Sequence, residues 1–447
     1  VRPPSTRHRR SRSGRSDDSS LENRYYTTHG AYNMFCLPGR AKRALSTEAA
    51  EAAPLLLLLA RDRLNEVQVD LARQMADALP DWRTLTKLAS GKLSLPFIYH
   101  HIVSLDLLPR DAPLRQALHM ATLSQSARWL KLVAEQRNFF NACLAPVDIP
   151  HVFFKGISLT RYYPKPGLRV CRDIDVLVNE TDLDTVLAAA LGAGYRVLLD
   201  VNSGRLAKTA RDLKAIRRYK TDVPLLSPSG AMIELHTALD KGKDIFETSD
   251  ALARGEMAKV AGTEYRVLPT ADLAVFLAYH HNRHVWSCLN WMGDFDALKR
   301  HRSWSEEAVR SRASELDLSE AVDATLAFNH LAGRPDLWAE APAGPARESL
   351  ELCLLTLEGG KETENAVIKE NVHPATNWRV PKAQRRKATR EAWQWRLTPH
   401  FHQYLAYPLP HWLHWLYPLE WAAGATRRLV TGQRNPLERA RMTPPRR

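Results

Sequence analysis

The sequence is short of the features that mark exported and membrane-spanning proteins. It holds five cysteines in 447 residues, Cys36, Cys143, Cys171, Cys288 and Cys353. Their number is odd, their spacings are wide and no Cys-x-x-Cys pair occurs, which argues against a disulfide framework and a zinc ribbon. A reducing cytoplasm is the expected compartment. The arginines near the N-terminus lead into no apolar h-region, so no secretory signal is expected. Long apolar runs are missing too: Leu55 to Leu59 falls far below the roughly 20 residues of a bilayer-spanning helix.

What is present is an ordinary globular balance, 45% hydrophobic and 25% charged, enough for a sizeable core and several domains. The net charge of +14 is unevenly placed. Residues 1–46 carry ten Lys/Arg against three Asp/Glu, and residues 379–447 carry fourteen against three, so the chain between them is net acidic. The basic character belongs to the ends. Residues 1–46 are rich in Arg, Ser, Thr and Pro without apolar period and read as a disordered basic tail, with a nucleic-acid-binding arm as the less favoured alternative.

From Ser46 the spacing turns helical. Leu64, Val67, Leu71, Met75 and Leu79 recur every three or four residues, Pro80 closes that segment, and a long amphipathic helix is expected within Leu114 to Cys143. The period then changes. Val152-Phe153-Phe154 reads as a buried strand ending in Lys155-Gly156, a turn where backbone can approach a ligand. Ser158 to Arg161 reads as a helix start, whose free N–H groups favour anions.

A second strand carries Asp173-Ile174-Asp175. Side chains two apart on a strand share a face, so the two carboxylates project together, while Val176-Leu177-Val178 continues the apolar run and argues against a surface turn. Paired carboxylates repel unless a cation sits between them, and oxygen ligands with room for water suit Mg2+, which would carry a nucleotide. The turn signal Ser227-Pro228-Ser229-Gly230 introduces a third strand, Met232 to His236, with Glu234 and His236 on one face.

At these residues the chain resembles the polymerase-β-like nucleotidyltransferase superfamily, and within it a bacterial family of uncharacterised nucleotidyltransferases. The matching elements are Lys155-Gly156, the run Arg169-Val170-Cys171-Arg172-Asp173-Ile174-Asp175, and Glu234-Leu235-His236, in a resemblance extending over roughly residues 50 to 300. Ile157 departs from the pattern where a second small residue is usual. The resemblance implies an α+β fold: a small mixed β-sheet nucleotidyltransferase core over residues 146–245, an N-terminal helical region over 47–145 and a helical domain over 246–375. It further implies transfer of a nucleotidyl group from an NTP to an acceptor hydroxyl or phosphate. Asp173, Asp175 and Glu234 would be the catalytic and metal-binding carboxylates of a two-Mg2+ site, with Lys155, Gly156, Ser158 and Arg169 at the phosphates. Two alternatives stay open: a toxin-like transferase that modifies tRNA or protein, and a non-catalytic membrane-associated scaffold.

Three further stretches carry chemistry. Lys208, Arg211, Lys214, Arg217, Arg218 and Lys220 form a basic helical run, read as a solvated face. His280 and His284 stand four apart on a helix beginning at Thr270, a zinc-compatible spacing but more often structural. Asp294 would cap the next helix or orient a histidine. Finally, Leu397 to Leu419 contains no Asp, Glu, Lys or Arg but four prolines. Its Trp412, Trp415 and Tyr417, with Trp421 and the arginines 427, 428 and 434, fit a membrane surface, packing on the protein's own helices or on a partner being the alternative.

Overall fold

The computed structural model describes residues 37–390 apart from 202, 241–244, 373–376 and 388, together with 401–406, 409–417 and 419. Most of the basic tail, residues 1–36, together with Trp421 and the arginines 427, 428 and 434, lies outside the described residues. The expected tail overruns into structure, however. Gly39–Ala44 is a helix (α1) that buries Ala41, its Arg40 donates to Asn371 and the Ser46 hydroxyl donates to Glu358.

An N-terminal helical layer follows: Thr47–Leu59 (α2), Glu66–Ala78 (α3), Trp82–Gly91 (α4), Leu95–Leu105 (α5) and Pro113–Phe139 (α6). Ser46 caps α2 by accepting from the Ala49 N–H, and Asn65 with Gln68 forms a capping box on α3, the side chains that satisfy otherwise unpaired first-turn donors. Leu55 to Leu59 is buried on every side, so this run is the centre of a core. Among the described residues no helix is long and apolar enough to cross a membrane.

The middle of the chain builds one mixed sheet. Its strands are His151–Phe153 (β1), Asp173–Val178 (β2), Arg196–Asp200 (β3), Arg205–Leu206 (β4), Asp222–Leu226 (β5), Met232–His236 (β6), Glu256–Val260 (β7) and Thr263–Val267 (β8). Their spatial order is β4-β3-β5-β6-β2-β1-β8-β7. The β2–β6 and β1–β8 pairs are parallel and the others antiparallel. Leu183–Gly192 (α7) and Ala210–Tyr219 (α8) connect the strands. The fold is α+β, an eight-stranded mixed sheet flanked by helices.

That sheet continues past the boundary expected at residue 245. The β7–β8 hairpin falls inside the stretch read as helical, because Glu256 to Val267 alternates over only five residues per strand. The hairpin turns at Ala261 and Gly262, both with positive φ (49° and 89°), as a tight two-residue turn requires. A short helix, Thr248–Arg254 (α9), precedes the hairpin, and after it come Thr270–Arg283 (α10), Asn290–Arg300 (α11), Glu306–Glu315 (α12), Ser319–Ala332 (α13), Pro345–Leu355 (α14) and Lys361–Asn371 (α15).

Strand alternation divides the interior in two. Phe153, Ile174, Val176, Val178, Val223, Leu225, Ile233 and Leu235 pack with α7 and α8 on one face. Val152, Phe154 and Leu177 belong to the larger core formed with the N- and C-terminal helices. The carboxylates of β2 share Leu177's face, at the junction with the helices. Near the C-terminus, Phe401–Ala406 (α16) seats Phe401 and Tyr404 against Lys220 and Tyr219 at the end of α8. This part of the aromatic segment covers the sheet domain, whereas Trp412 and Trp415 remain 72% and 64% exposed.

Candidate active site

Parallel pairing of β2 with β6 sets Asp175 beside Glu234 and Asp173 beside Met232. Because the register keeps one face for alternate residues, Asp173, Asp175, Glu234 and His236 all emerge on the helical side of the sheet. Their neighbours Ile174, Val176, Ile233 and Leu235 fill the opposite core. Apolar burial on one side therefore fixes polar convergence on the other.

Gly156 closes the site from below. It has φ +52°, and a Cβ built there would lie 2.6 Å from the Asp173 carbonyl oxygen and 3.2 Å from Asp175 Oδ2. Only glycine combines that conformation with that approach. The helix start expected after it proves to be a 3-10 turn, Gly156–Tyr162, followed by a second, Pro166–Leu168. Pro164 and Pro166 deny the chain the donors an α-helix needs. Ser158 is buried within the first turn.

Two basic side chains meet at Asp175. Lys155 Nζ lies 2.9 Å from Asp175 Oδ1, and His236 Nε2 lies 3.1 Å from the same oxygen and 3.4 Å from Glu234 Oε2. Although burial opposes it, the Lys155 ammonium and the His236 imidazole hold the Asp175 carboxyl well below the usual range. The reverse holds two residues away: burial, with Asp175 and Glu234 alongside, pushes Asp173 up to about 7. Burial works against charge on His236 too, but its hydrogen bonds to Asp175 and Glu234 push it up to about 9. The Lys155 ammonium is likewise favoured, by the carboxylates around it and against its burial.

Arg169, expected at the phosphates, has all three guanidinium nitrogens directed at protein acceptors. Nε and Nη2 donate to the two oxygens of Asp294 at 2.7 and 3.0 Å, and Nη1 donates to the Gly156 carbonyl at 3.1 Å. Tyr163 adds its hydroxyl to Asp294 at 2.6 Å. Asp294 therefore neither caps α11, where it sits in the interior, nor orients a histidine. It anchors the arginine that grips the glycine turn. Positions 169 and 294 are too far apart in sequence for any spacing rule to pair them. Arg172 points outward and is exposed.

Among the described residues, His280 and His284 meet no third ligand that would complete a metal site. His284 Nδ1 lies 2.7 Å from Glu364, and the His280 ring packs beside Phe276 and Trp291. Among the described residues, the group of ligand-type side chains close enough to share a cation is Asp175, Glu234 and His236, whose ligand atoms lie within 4.8 Å of one another. Two carboxylates and an imidazole suit a divalent cation, so the residues present fit one. Reading the motif for carboxylates alone left His236 without a role, although its place two residues after Glu234 was the available signal.

A mixed sheet with this carboxylate face and flanking helices defines an α+β protein of nucleotidyltransferase type. The model of a family described as uncharacterised nucleotidyltransferase matches residues 79–333, more than half of the chain, and the chain belongs to that family. No curated protein matches the chain significantly.

Proposed function

We propose that the protein transfers a nucleotidyl group from an NTP to an acceptor hydroxyl or phosphate, in the manner of the polymerase-β-like superfamily. The observation that carries this is the side-by-side placement of Asp175 and Glu234 across β2 and β6, with Asp173 on the same face above Gly156. Asp173, Asp175 and Glu234 would hold divalent cations, Mg2+ in the expected case. Bound there, such ions neutralise triphosphate charge and lower the pKa of the attacking oxygen.

The chain's own groups then divide the work. Gly156 lets main chain approach the triphosphate, with Ser158 behind it. Lys155, now 2.9 Å from Asp175, would turn its positive charge to the β- and γ-phosphates if Asp175 held a cation. Glu234 is the acceptor for the proton leaving the attacking hydroxyl. The acceptor oxygen bonds to the α-phosphorus as the bond to pyrophosphate breaks, and the leaving charge falls near Lys155. Arg169 acts as a positioning residue, holding Gly156 through its carbonyl.

The test is incubation of the purified protein with each α-labelled NTP, divalent cation and a cell extract. Wild type is expected to move label onto an acceptor, and Asp175→Asn or Asp173→Asn to lose about 1,000-fold or more of that transfer while keeping its circular dichroism. Unchanged transfer in either variant removes the metal assignment. Label on RNA or protein instead of small molecules would favour the toxin-like reading.

A separate observation concerns the C-terminal segment. In a 3-10 helix residues three apart are eclipsed, so Trp412 and Trp415, both in His411–Leu416, project together. We propose that they rest on an anionic membrane surface, which complements the strong basic surplus of residues 379–447.

A further inference from the structure

The geometry points to His236 as a ligand of the cation held by Asp175 and Glu234, giving this seat a preference for Mn2+ over Mg2+. The inference rests on the nucleotidyltransferase reading and concerns which cation its carboxylate face takes.

Three observations lead there. His236 follows Glu234 by two residues on β6 and shares its face, so imidazole and carboxylate reach the same space. Its Nε2 stands 3.1 Å from Asp175 Oδ1 and 3.4 Å from Glu234 Oε2. Adjacent ligands of a six-coordinate cation with bonds of about 2.1 Å are roughly 3 Å apart, so both distances from Nε2 match neighbouring corners of one coordination shell, and the ligand atoms of the three residues all lie within 4.8 Å of one another. The ring is also held in place: His236 is 7% exposed, and Phe154 packs edge-on against it with centroids 5.1 Å apart.

The donor types then discriminate between cations. Mg2+ is hard, keeps oxygen ligands and gives up water reluctantly, whereas imidazole nitrogen suits first-row transition ions. Mn2+ accepts both kinds of donor in octahedral geometry and also suits triphosphate oxygens. Asp173, two residues from Asp175 on the same face of β2, offers oxygen alone and imposes no such choice.

Pulsed EPR of the full chain with two equivalents of Mn2+ tests this without reference to turnover. Wild type is expected to show nitrogen modulation from a directly bound imidazole, converting to the 15N pattern when the protein is labelled with 15N-histidine. His236→Gln should bind Mn2+ without that signal, and calorimetry should show the Mn2+ over Mg2+ preference, at least tenfold in wild type, falling several-fold. Mn2+ bound with no nitrogen modulation in wild type overturns the assignment of His236 and leaves the carboxylate reading standing. Absence of any Mn2+ binding that Asp175→Asn would remove overturns both. The wild-type spectrum decides the matter even if His236→Gln fails to fold.

Discussion

At Gly156 a single residue decides whether the carboxylates can be approached at all. An alanine there would need a positive φ and would press its Cβ to 2.6 Å from the Asp173 carbonyl oxygen, backbone that cannot turn aside. Gly156→Ala is therefore expected to destabilise the protein by about 2–4 kcal/mol and to reduce transfer further by displacing Asp173. Thermal melts and NTP turnover read the two effects, and a wild-type melt with wild-type turnover would refute the close approach. Lys155 invites the opposite experiment. Its ammonium sits 2.9 Å from a carboxylate that is 3% exposed, so Lys155→Met should cost the metal-free protein about 1–3 kcal/mol by leaving that charge to His236 alone. Mn2+ or Mg2+ should restore much of the loss, giving the variant a larger cation-induced rise in Tm than wild type. An equal rise in both would show that Lys155 and the cation do not share Asp175. The glycine and both aspartates were legible in the sequence because strand alternation and turn chemistry are local. The hold of Lys155 on Asp175 was not, since nothing in a Lys-Gly dipeptide says which way the lysine turns.

Between elements, the contact that sets the site's geometry runs from α11 to the glycine turn. Asp294, inaccessible on its helix, takes both Nε and Nη2 of Arg169, and Arg169 passes its remaining nitrogen to the Gly156 carbonyl. Removing either charge strands the other in the interior. Arg169→Met and Asp294→Asn are each expected to cost about 3–5 kcal/mol, and the double variant about 1–3 kcal/mol less than their sum. Denaturant melts of the four proteins supply the cycle, and strict additivity would mean that the pair does not act as a unit. Sequence reading reached the motif arginine but sent it to the phosphates, because its partner lies 125 positions away and only the packing of α11 on the 3-10 turn joins them. The hairpin β7–β8 was missed for a related reason. Its exposed edge strand, with Glu256, Met257 and Lys259 turned to solvent, offers too little apolar alternation to announce a strand.

Across the whole molecule, the sheet keeps its carboxylate face toward the large helical core and its other face toward α7 and α8, so Phe401–Ala406, which docks on α8, touches the domain on the side away from the carboxylates. Sequence alone left two readings of that segment, and each has its residues. Phe401 and Tyr404 pack on the protein, while among the described residues Trp412 and Trp415 are the two tryptophans left exposed, with Leu419 exposed beyond them. The segment's composition hid the division because aromatic residues look alike whether they meet a helix or a headgroup. The cations on α8 bear on the outcome: Arg211, Lys214 and Arg218 are exposed, while Arg217 is held by Asp184. Indole rings settle at headgroup depth and each nearby cation adds about 1 kcal/mol on an anionic leaflet. Wild type should therefore co-sediment with vesicles containing phosphatidylserine, weakly with neutral ones, and less as salt rises. Trp412→Ser with Trp415→Ser should lower that binding about tenfold or more without changing NTP turnover, because neither side chain reaches the carboxylate face. Equal sedimentation of variant and wild type, or a preference for RNA over vesicles at the same salt, would assign the exposed tryptophans to something other than lipid.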